Sequence, residues 1–113
     1  MKIRGAKRLT WNAPPDTGVV GYKIYAGDAG VTDFLAKADL KPEEGGLAPY
    51  DSTTELFWDT HGLAEGSWQF AVCSYDEEDN ESDPYQSSAW TSVPLDLTAP
   101  QPPSNGSVVS SPG

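Results

Sequence analysis

Six carboxylates fall within the ten residues from Ser74 to Asp83, SYDEEDNESD, at Asp76, Glu77, Glu78, Asp79, Glu81 and Asp83. Calcium needs oxygen at this density, because the hard cation gathers about six to eight oxygen ligands. The order of the acids does not follow the D-x-[DN]-x-[DN]-G-x5-E loop that aims its ligands at one centre. Nor does it suit glycoside hydrolysis, which sets two carboxylates on opposing walls of a cleft and not several on one short loop. Crowded like charges interrupted by Asn80 and Ser82 suit an exposed turn whose repulsion a cationic partner would relieve. Asp76, Glu77, Glu78 and Asp79 are therefore candidate partner contacts, with no metal or catalytic role expected.

The other reactive side chains are sparse. Cys73 is the sole cysteine and His61 the sole histidine, so neither an internal disulfide nor a Cys/His zinc site can form. A thiol in the middle of an alternating segment reads as a small buried hydrophobe. No catalytic residue and no cofactor is expected, and the chain is not expected to be an enzyme. A net charge of −10 opposes phosphate binding, which needs a basic face to release counterions, so nucleic acid is excluded as a partner. Lys2, Arg4, Lys7 and Arg8 are four of the seven basic residues, while all seventeen acids lie from Asp16 onward. This bias reads as an edge strand guarded by positive charge or as a basic arm for an acidic neighbour, which makes Lys2 and Arg4 further candidate contacts. No apolar run approaches the roughly eighteen residues of a membrane span, and MKIRGAKRLT lacks a signal peptide's apolar region. No membrane partner is expected.

The elements that must position these groups are strands. With 11 Gly, 10 Pro and 37% apolar residues among 113, the composition is that of one turn-rich all-β domain. Leu9 and Trp11 alternate in KRLTWNA before the turn PPDTG; Val20, Tyr22 and Ile24 share one face of VGYKIYAG. Leu56 and Trp58 alternate in TTELFWDT. In SWQFAVCSY, Trp68, Phe70 and Val72 point one way and Gln69, Ala71 and Cys73 the other. The predicted core is Leu9, Trp11, Tyr22, Ile24, Trp58, Phe70 and Val72. Residues 85–97 read as the last strand, with Pro94 tolerated only at an edge or past the pairing. Residues 28–52 read as a long, partly irregular connection over the sheet edge, in which residues 32–41 form either two helical turns capped by Thr32 and stopped by Pro42 or a short strand and loop. Residues 98–113, TAPQPPSNGSVVSSPG, have the composition of an extended arm or linker.

Together, LTWNAPPDTGVVGYKIYAG and GLAEGSWQFAVCSYDEEDNES resemble a fibronectin type III domain of bacterial or phage type. Trp11, Pro14, Gly21, Tyr22, Ile24 and Tyr25 stand at the places of the family's Trp, Pro and "GYxVY" strand. Leu63, Gly66, Phe70, Val72, Asp76, Asn80, Glu81 and Ser82 match its Leu-x-x-Gly turn and "AxDxxGNES" strand end. The resemblance covers about residues 6–97 and implies a two-sheet antiparallel immunoglobulin-like sandwich over residues 1–97. Three departures stand out. Trp68 occupies the place of a Tyr whose hydroxyl pins a corner; Asp79 replaces a turn Gly; and few residues precede the Leu9-Trp11 strand, which leaves the sandwich short of an edge.

The segment APQPPSNGSVV resembles the family's first strand, and three roles suit it: the start of a following module, a strand folded back on its own sheet, or a strand added to a neighbouring copy. Pro102, Val108 and Val109 are its candidate contacts. The function that follows is a non-enzymatic structural module that binds protein partners or other copies of itself, on a virion or an extracellular surface. A phage decoration, neck or tail component fits a family that works outside cells in a chain without an export signal. The alternative is a spacer or weak carbohydrate-binding accessory module of a secreted bacterial enzyme or adhesin, in which Tyr25, Tyr50, Phe57 or Tyr75 would stack on sugar.

Overall fold

The computed structural model describes residues 7–95. Lys2, Arg4 and the whole 98–113 segment with Pro102, Val108 and Val109 lie outside the described residues. Strand β2 (Gly21–Asp28) pairs antiparallel with β5 (Gly66–Tyr75) over eight consecutive positions, from Gly21 opposite Tyr75 to Asp28 opposite Trp68. Side chains alternate across a strand, so this register puts Tyr22, Ile24, Phe70 and Val72 on one face and Tyr25, Ala71 and Cys73 on the other. Both faces are apolar, and each has to be covered.

The inner face is covered by a second sheet. There β1 (Arg8–Thr10) pairs antiparallel with β4 (Phe57–Asp59), with Leu9 opposite Trp58. Both side chains turn inward and join the cluster of Tyr22, Ile24, Phe70 and Val72, where the Trp58 and Phe70 ring centroids lie 5.9 Å apart. On the outward side Arg8 holds Asp59 through two bonds of 2.8 and 3.0 Å and lies over the Phe57 ring. Strands β3 (Asp51–Thr53) and β6 (Val93–Leu95) complete the first sheet in the order β3-β2-β5-β6. The protein is an all-β sandwich of two antiparallel sheets, in which, among the described residues, four strands face two.

Trp11 follows β1 and sits half-buried at the rim of the core, edge-on to Tyr22 and Trp90. Val20 and Leu56, expected to extend the inward rows, precede their strands and stay exposed. Trp68 donates its indole N–H to the Ala64 carbonyl at 2.8 Å.

Two expectations need correction. The final strand does not run unbroken through the described part of 85–97, residues 85–95. Tyr85 makes a single pair with Val72, a 3-10 turn spans Ser88–Trp90, and among residues 85–95 strand is confined to Val93–Leu95. Pro84 brings no amide proton, and the Ser87 hydroxyl captures the amide of Ala89, so a ladder cannot continue through this stretch. Pro94 does stand in an edge strand, opposite Ser67. The Ser67 carbonyl bonds Ala29 on the β2 side, so Pro94 occupies a position whose missing N–H points away from β5.

The connection 28–52 is more ordered than expected. It contains helix α1 (Phe34–Ala38), then a 3-10 turn at Pro42–Glu44, then β3. Thr32 is not its cap. Asp33 holds that place at φ 57°, a left-handed conformation that Asp tolerates better than most residues, and makes no side-chain capping bond. The helix ends at Asp39, before Pro42 can act. It lies on the outer face of the four-stranded sheet, not over its edge, and buries Phe34 and Ala38 against Tyr25, Ala71 and Cys73. Gly27 permits the approach, since a Cβ there would meet the Phe34 ring at 2.8 Å.

Cys73 is fully buried beneath this small second core, which pushes its thiol up to about 12. It should react with a thiol reagent only on unfolding in the native chain. Phe34→Ala should lower stability by about 3–5 kcal/mol and make the thiol reactive under native conditions. Chemical denaturation and a timed thiol-modification assay check both outcomes.

Candidate functional site

Three arrangements of polar and aromatic groups lie at the ends and edges of the sandwich. The first is the acidic turn after β5. Asp76 organises it: its carboxylate accepts the amides of Glu78 at 3.0 Å and Asn80 at 2.9 Å, and the Asn80 side-chain amide at 3.2 Å. These bonds, those from Asn80 foremost, hold its carboxyl below the ordinary range. Asp79 then takes φ 63°, a left-handed conformation that Asp tolerates better than most residues. Tyr75 pairs with Glu81 to close the loop.

Part of the charge on this turn is already answered from β2. Lys23 reaches Asp79 and, at 3.4 Å, Glu81, and the Tyr25 hydroxyl donates to Glu81. Burial works against the Lys23 charge, but the two carboxylates outweigh it and hold its pKa above the ordinary value. Tyr25 is raised as well, by burial first and by Glu81 second. So the turn is clasped to the sheet by its inner acids, and Glu77 and Glu78 remain exposed at its tip. Of the candidate contacts in this loop, Asp76 and Asp79 have structural work, while Glu77 and Glu78 present free charge outward.

The second arrangement joins the two sheets. Asp51 of β3 accepts the Trp58 indole N–H of β4 at 2.8 Å and contacts His61 Nε2 at 2.8 Å with the same oxygen. These bonds, that from Trp58 first, hold the Asp51 carboxyl below the ordinary range. The Tyr50 ring stands edge-on to Trp58, and its hydroxyl donates to the His61 carbonyl. Nothing in the sequence pattern pointed to Asp51, because its partners are set by the facing of two sheets and not by spacing.

The third is a groove of about 520 Å³ between the layers, beside the end of β1. Its floor is Tyr22 and Val72, its walls Trp11, Pro14 and Tyr85, and none of its lining residues carries a charge. It exists because two strands face four. Trp58 and Asp51 set β4 over the β3 side, and Trp11 against Trp90 sets the β1 end toward the opposite flank. Among the described residues the flank beyond β1 is left uncovered. The Trp11 indole N–H is buried there without an acceptor among the described residues, a state that costs about 1–3 kcal/mol.

β1 also has an edge that no described strand pairs. Lys7 accepts from Thr60, and Trp11 donates to Leu56, which fixes the odd-numbered residues as those bonded to β4. The N–H and C=O groups of Arg8 and Thr10 therefore point away from β4, where no described strand meets them.

The aromatic residues considered for sugar stacking do not gather into a platform. Tyr25 is buried under α1, Phe57 carries Arg8, and Tyr50 is turned toward His61. Tyr75 lies over Gly21, where a Cβ would come within 2.6 Å of its hydroxyl. Among the described residues no cluster of three or more His, Cys, Asp or Glu is arranged to hold a metal ion, and no helix is long and apolar enough to cross a membrane. No family model, curated protein or solved structure matches the chain.

Two substitutions probe these sites. Asp51→Ala should strand the buried Trp58 donor and lower stability by about 1–3 kcal/mol, read as a fall in melting temperature. The Asp51 pKa is depressed in the folded chain, so its contribution is present above the unfolded value of about 3.9 and is lost as pH falls through the folded one. The gap in melting temperature between native chain and variant should therefore narrow on acidification below about pH 4. Asp76→Ala should leave the sandwich folded while the amides of Glu78 and Asn80 lose protection in hydrogen-exchange NMR.

Proposed function

We propose that this chain is a fibronectin type III-like sandwich that works without catalysis as a protein-interaction module, a subunit of a larger assembly such as a phage virion. Decoration, neck or tail positions are the roles that suit it. The strand order supports the family reading. First and fourth strands share one layer, while the remaining four form the other, as in an immunoglobulin-like Greek key whose initial strand is left out.

The assembly reading is carried by one observation: an edge of β1 that no described strand pairs runs beside an uncharged groove that opens onto the core. An open edge with an uncharged flank invites pairing with another chain, and a free-standing monomer ordinarily guards against it. Glu77 and Glu78 at the tip of the acidic turn add a second surface, suited to a basic neighbour. The partners are protein surfaces or further copies of the chain.

Native size fractionation of the source material tests the reading. The chain, 12.1 kDa alone, is expected to travel with particles of far greater mass. Recovery at monomer mass in every fraction would overturn the proposal.

A further inference from the structure

We infer that the groove beside β1 receives an extended strand from residues 98–113 of a second copy, so that copies join head to tail. This rests on the assembly reading above and specifies its contact surface and its partner.

The groove and the segment match in chemistry. The groove lining is uncharged, in a chain of net charge −10. The segment TAPQPPSNGSVVSSPG is uncharged too, so it can be buried there without desolvating an ion. Its prolines stand at 100, 102, 103 and 112, which leaves residues 104–111 with every backbone donor available for pairing. Val108 and Val109 favour the extended conformation and supply apolar side chains. The outward N–H and C=O groups of Arg8 and Thr10 are the groups such a strand would meet.

The direction of the chain selects a neighbour over the same molecule. Leu95 pairs with Gly66, so the chain leaves β6 at the Gly66 end of β5. The groove lies at the other end, by Ser74, about 26 Å away at the rise of a strand. β1 also runs toward the groove end, since Asn12 and Pro14 line it. A segment folding back on its own sandwich would therefore run parallel to β1. A segment from a copy stacked on the groove end descends antiparallel, the better-bonded pairing. Residues 1–6 are a poorer occupant, because they carry Lys2 and Arg4, whose charges an uncharged groove would leave unanswered. Each copy then offers one segment and one groove, a heterologous contact.

Complementation of two defective full-length variants tests this. Thr10→Pro removes an outward N–H without touching the β1–β4 ladder, and Val108→Asp/Val109→Asp spoils the segment. Tyr85→Lys is a second groove variant that leaves β1 alone, and circular dichroism verifies that each variant folds. In sedimentation velocity the native chain is expected to form dimers and longer species as concentration rises. Each variant alone should stay monomeric, with association weakened at least tenfold. A mixture of groove and segment variants should stop at a dimer, because one intact segment and one intact groove remain. Native monomers destabilised by the valine changes would overturn the inference in favour of folding back on the same chain. Native monomers indifferent to all the variants would overturn it outright. Oligomers that persist in the variants would overturn it while leaving the assembly reading in place, which falls only if the chain fractionates as a monomer from its source.

Discussion

The antiparallel pairing of β2 with β5 is the constraint on which the rest depends. Eight matched positions fix which side chains face which way, and a shift by one residue would exchange the two faces. With this register Phe70 and Ile24 become the fully enclosed centre of the sandwich, and Ala71 and Cys73 become the seat for α1. The same pairing carries Lys23 opposite Cys73, near enough to the end of β5 to reach the acids of the turn beyond it. Core, helix dock and clasp are consequences of one ladder.

Much of this ladder was legible in the sequence because strict alternation over several residues is a strong signal. YKIY and WQFAVC declare both faces at once, and the acids and Asn after Tyr75 declare the turn. The elements that were missed or left open are those in which local chemistry and tertiary contact disagree. Phe34–Ala38 is too short to show a helical period, and it is held by Gly27 and the sheet beneath it more than by its own capping. Residues 85–92 look like a strand by their spacing, yet Pro84 and the Ser87 cap divert the backbone. The Asp51–Trp58 link joins residues on different sheets, and no linear pattern encodes which aspartate a tryptophan will find. The groove was foreshadowed only as a missing edge.

The acidic turn illustrates how a cluster of like charge divides into structural and free members. Asp76 is committed to backbone amides, and Asp79 and Glu81 to Lys23. Exposed ion pairs contribute little to stability, so the clasp serves mainly to fix the orientation of the loop. A loop held in one orientation presents Glu77 and Glu78 at a defined place relative to the sheets, which a freely moving acidic tail would not do.

Pro94 gives the molecule a handedness of risk. Sheets that expose two open borders can grow without limit into fibrils, and newly made chains at high local abundance are most vulnerable. Here the β6 border lacks an amide where Pro94 stands, so a stray strand docking along it would leave an acceptor unanswered. Templated accretion is discouraged on that flank, which biases crowded copies away from tangles during synthesis.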